Sequence, residues 1–77
     1  MAIYKVRIKT EGNTTTYTTN ATTLATVTYR PDLNKWDAST PSVGMLADTK
    51  EEADKTARES ITAFFASVGL IPNFINE

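Results

Sequence analysis

The side chains able to do chemistry in this chain are hydroxyls, carboxylates and amines. Its seventy-seven residues contain neither His nor Cys. The hydroxyls therefore lack an imidazole to activate them, there is no thiolate nucleophile, and the common zinc ligands are missing. The clustered acids are Asp48, Glu51, Glu52, Asp54 and Glu59. A hard cation needs several oxygens converging on one point. These five instead spread around a helical pattern that also carries Lys55 and Arg58, which reads as a solvated face. No Gly-rich phosphate loop is present. The chain is expected to be no enzyme and to have no catalytic residue, metal or cofactor, so its work is binding.

Two charged groups are candidates for that work. Lys5, Arg7 and Lys9 fall on one side of an alternating segment and offer contacts to phosphates or to an acidic partner. Cations on the exposed side of a strand are also ordinary edge-protecting devices. Glu51, Asp54 and Glu59 form the acidic counterpart. The formal net charge is −1, without the basic excess from which non-specific nucleic-acid affinity comes. Nucleic acid is therefore not expected as the main partner. Nine threonines crowd residues 14 to 28. A break at Asn20-Ala21 rules out the long flat array an ice-binding surface needs, so β-propensity accounts for them.

The elements that must carry these residues follow from periodicity. From Ala2 to Thr10 the period is two, with Tyr4, Val6 and Ile8 opposite the three cations. Glu11-Gly12-Asn13 is turn chemistry and predicts a hairpin back through Tyr17. Leu24 to Arg30 alternates again, Pro31 to Asn34 turns, and Trp36 to Thr40 and Met45 to Ala47 read as two more strands. Trp36 and Tyr29 flank the Pro31 turn and are read as packing. Thr49-Lys50-Glu51-Glu52 is a capping box that opens a helix. Its apolar stripe is Ala53, Ala57, Ile61, Phe64, Phe65 and Val68. Gly69 and Pro72 end it.

From about residue 26 onward the text VTYRPDLNKWDASTPSVGMLADTKEEADKTARESITAFFASVG resembles the N-terminal domain of HicB-type antitoxins. The shared features are an aromatic-led strand ending in Pro, a Gly-containing segment, a Thr N-cap and a Glu-Glu-Ala helix start. Here they fall on Trp36, Pro41, Gly44, Thr49, Glu51, Glu52 and Ala53. Two departures stand out. The family's Pro-acidic-Leu-Pro-Gly-Cys segment is shortened to Pro41-Ser42-Val43-Gly44-Met45, and the usual C-terminal DNA-binding domain is missing. The resemblance implies a partial double-stranded-RNA-binding-domain-like fold and neutralisation of a partner by masking.

The expected fold is α+β: an antiparallel sheet of three to five strands with one C-terminal amphipathic helix on one face. It forms a single HicB-like domain over residues 1–77, with an extra N-terminal strand or hairpin at residues 1–19 whose pairing with the main sheet stays open. The expected function is a non-catalytic, antitoxin-like inhibitor. It would cover a partner protein with Glu51, Asp54 and Glu59 together with Pro41, Ser42, Val43 and Gly44. Alternatives are a phage or mobile-element inhibitor of a host defence complex, or weak RNA or DNA binding through Lys5, Arg7 and Lys9. The chain is expected to be cytoplasmic and homodimeric. No segment approaches the roughly 18 apolar residues of a membrane span.

Overall fold

The computed structural model of the chain describes residues 2–40 and 44–77. The elements run β1 (Ala2–Glu11), β2 (Thr14–Thr19), β3 (Thr22–Arg30), β4 (Lys35–Ser39), β5 (Gly44–Ala47), α1 (Lys50–Ser67) and β6 (Leu70–Asn76). The strands form one sheet in the order β5-β4-β3-β2-β1-β6. Neighbours are antiparallel except for β1 and β6, which run parallel from Ala2 opposite Leu70 to Ile8 opposite Asn76.

The α+β class stands, but two expectations are corrected. The described sheet has six strands rather than three to five, and it is mixed rather than wholly antiparallel. The C-terminal helix stands as expected, and the chain returns from it as one further strand, β6. Pro72 concealed that strand in the sequence. The backbone N–H of Glu77 donates to the carbonyl of Ile8 at 2.9 Å. By the two-residue period, the donors of Ile75, Asn73 and Ile71 also face β1, and position 72 faces the free edge. A missing N–H there removes no ladder bond, which is where an edge strand tolerates Pro.

The turns follow their sequence chemistry, with one exception. Between β1 and β2, Gly12 takes the positive φ (59°) of a two-residue hairpin loop. The β3–β4 loop ends on Asn34 at φ 53°, a left-handed conformation that Asn tolerates. Between β2 and β3 both loop residues are left-handed, Asn20 at 48° and Ala21 at 64°. Two positive φ values are the signature of the I′ turn, whose preferred second residue is Gly. Ala21 holds that geometry against the clash of its own Cβ. Just beyond, the β2–β3 register slips next to Tyr17 and Thr18, and Leu24 and Ala25 are both buried, as at a bulge.

Helix α1 opens on Thr49, whose hydroxyl accepts from the N–H of Glu52 at 3.2 Å. It closes before Gly69 at φ 76°, with the N–H of Gly69 donating to the carbonyl of Ala66. Ala53, Ala57, Ile61 and Phe65 are buried against Val6, Ile8, Tyr17, Ala25, Val27 and Ala38 of the sheet. This four-residue row makes the buried apolar contact. Phe64 and Val68, expected on the stripe, are 50% and 59% exposed. Phe64 lies off the row, and Val68 is already the cap residue. Trp36 packs beside the core and meets its cross-strand partner Tyr29 at 5.2 Å between ring centres, so these two rings pack as expected. Among the described residues, no helix is long and apolar enough to cross a membrane.

Candidate functional site

The acidic candidates sit on α1, and the structure divides them. Glu51, Asp54, Lys55, Arg58 and Glu59 line a shallow groove of about 370 Å³ along the helix. Asp54 is held within the protein. The Tyr17 hydroxyl donates to its Oδ1 at 2.8 Å, and Lys50 Nζ donates to its Oδ2 at 2.6 Å. One turn on, the Arg58 guanidinium lies 5.6 Å from the centre of the Phe74 ring, and Phe74 packs edge-on against Tyr17. These side chains tie α1 to β2 and β6. Burial, followed by the bond to Asp54, pushes the Tyr17 phenol up to about 12. Asp54, named with the partner-contacting acids, therefore also serves as an acceptor inside the protein. Glu51 and Glu59 remain exposed, with no ion pair among the described residues.

Of the loop residues expected to act with these acids, the structure describes Gly44. Gly44 is exposed and opens β5, at the opposite edge of the sheet from β6. Asp54 and Arg58 lean the other way, toward Tyr17 and Phe74. Pro41, Ser42 and Val43 lie outside the described residues.

The basic candidates stand together as alternation requires. Lys5, Arg7 and Lys9 are exposed on the face of β1 away from α1. Lys5 is opposite Asn73, Arg7 lies between Thr18 and Ile75, and Lys9 is opposite Thr16. Lys9 is paired with Glu11 at 3.0 Å, and that carboxylate raises its pKa. Lys5 and Arg7 have no such partner among the described residues. The rest of this open face is mostly hydroxyl: Thr16 is opposite Thr26 and Thr26 opposite Ser39, while Thr14 is opposite Thr28. No aromatic ring of the described strands projects onto it, because Tyr4, Tyr17, Tyr29, Trp36 and Phe74 share the helix-covered face.

The sequence reading missed the Tyr17–Asp54–Lys50 cluster. The four-residue step from Lys50 to Asp54 was a visible signal, but nothing local announced Tyr17, which belongs to another element. Among the described residues no three acids converge as a metal site would require.

No family model matches the chain, and neither a curated protein nor a solved structure matches it.

Proposed function

We propose that the chain is a non-catalytic protein-binding module, an antitoxin-like inhibitor that masks a surface of a partner protein with the outer side of α1. The supporting observation is that Glu51 and Glu59 are exposed, with no ion pair among the described residues, on a helix whose position is fixed through Asp54. Carboxylates held on a rigid element meet a basic partner with little ordering cost, and complementary charge speeds the encounter. A small RNA-handling protein has the surface this face would cover. The module works in the cytoplasm, and as a homodimer; light scattering that returned a monomer would remove the dimer.

The test is an affinity capture from native lysate with the wild type and a Glu51→Lys/Glu59→Lys double variant, each with and without nuclease. The proposal expects a stoichiometric small basic protein that survives nuclease and is lost in the double variant. Capture unaffected by the charge reversal would overturn it. Loss on nuclease treatment would instead favour a second reading, nucleic-acid contact through Lys5, Arg7 and Lys9. That reading is supported by Lys5 and Arg7, which have no ion pair among the described residues. It is weakened by an open face with no ring on which a base could stack.

A further inference from the structure

The strip where β1 meets β6 on the open face combines two properties that neither acid masking nor phosphate binding uses. Ile3 and Ile71 are cross-strand partners there, 68% and 43% exposed. Lys5 and Arg7 follow on the same side of β1, with Ile75 beside Arg7. On the β2 side of the same stretch of β1 lies a groove of about 340 Å³, lined by Ile3, Tyr4, Lys5, Arg7, Thr19 and Asn20. Its far wall is fixed: the Thr19 hydroxyl donates to the Lys5 carbonyl at 2.9 Å, which fastens the strained Asn20-Ala21 turn to β1.

We propose that this strip docks an acidic polypeptide segment that also carries apolar side chains. Charge complementarity names the acid: two cations about 6.6 Å apart along the strand have no ion pair among the described residues, and their free energy falls when a carboxylate approaches. The isoleucines name the rest. A purely anionic ligand such as a phosphodiester chain would leave both in water, whereas a peptide with leucine or isoleucine beside its acids removes that apolar surface from it. A bilayer surface would also take cations beside apolar groups. It needs a continuous apolar face, and here Asn73 and Thr18 interrupt it. The site is distinct from the acidic face of α1, so both could be occupied at once.

The test is fluorescence anisotropy at low salt with four probes. They are a labelled short peptide of glutamate and leucine, the same peptide with serine for leucine, an oligothymidylate, and anionic phosphatidylserine vesicles. The glutamate–leucine peptide is expected to bind most tightly. Lys5→Glu/Arg7→Glu weakens it by about tenfold or more, Ile3→Ser weakens it severalfold, and Arg30→Glu, an exposed cation at the end of β3, leaves it unchanged. Circular dichroism establishes that each variant is folded, and Arg7→Gln gives a milder check on the same cation. No binding of that peptide overturns the proposal. So does equal binding of the serine peptide, the oligothymidylate or the vesicles, or an affinity indifferent to Lys5 and Arg7.

Discussion

The two faces of the sheet are built from the same strands and follow different rules. On the covered face nearly every position is fixed by contact: Val6, Tyr17, Val27 and Ala38 are fully buried, and α1 lays Ala53, Ala57, Ile61 and Phe65 across them. Even its polar atoms are accounted for, with Thr15 bonded to Thr10 at 3.0 Å and Tyr17 to Asp54. On the open face threonines stand in rows beside Lys5 and Arg7, and nothing within the chain selects their identity beyond strand propensity. The contrast shows where stability resides and where the chain is free to specify a partner.

The sharpest way to break this contrast is truncation within one helical turn. Phe65→Ala removes a buried ring and is expected to cost about 3–5 kcal/mol, a large share of what a domain of this size holds. Phe64→Ala, one residue earlier and half exposed, is expected to cost under about 1 kcal/mol. Urea midpoints compared at unchanged slope would check both, and similar losses would mean that the two rings share the core.

Tyr17→Phe probes the polar part of the covered face. Losing its bond to Asp54 is expected to cost about 1 kcal/mol near neutral pH. The alkaline limb gives a second readout. Burial and the bond to Asp54 push the folded-state phenol pKa up to about 12, so between the ordinary phenol value of about 10 and this one the unfolded chain has released a proton that the folded chain still holds. Stability is therefore complete below about pH 10 and falls as pH rises through that window, by about 3 kcal/mol in all. In Tyr17→Phe this fall should disappear, and an unchanged alkaline limb would place its origin elsewhere.

Ala21→Gly tests the strained turn. Left-handed backbone costs a Cβ-bearing residue about 1 kcal/mol or more, so the variant is expected to be stabilised by about that amount in urea. A destabilised variant would show that the Ala21 side chain makes a contact worth more than its strain. The smallest effects belong to the open face. Thr26→Val and Arg7→Gln are each expected within about 0.5 kcal/mol of wild type, and a larger loss in either would make that face part of the stability core.

The same contrast explains what could be read from the sequence. The covered face writes itself as periodicity. Val6 and Ile8 in β1, the glycine turn at Gly12, and the Thr49 cap each rest on local rules, so β1 to β5 and the start of α1 were legible. Strand β6 was not, because Pro72 is a stop signal unless its nitrogen happens to face an open edge, and edges exist only in the assembled sheet. Asp54 looked like one more solvated acid, since its partner Tyr17 lies in a different element. The open face was legible as alternation but not as function, because no internal contact constrains what its residues recognise.

The parallel pairing of β1 with β6 also orders events in time. Strand β1 is synthesised first and its neighbour β6 last, with most of the described chain between them. During the seconds of translation that separate them, β1 can zip to β2 on one side, but its other side stays bare with Val6 and Ile8 alongside. An unfinished edge of that kind invites pairing with another nascent chain. Like charges such as those of Lys5 and Arg7 disfavour such pairing, and the exposure of that side of β1 ends when β6 arrives beside it.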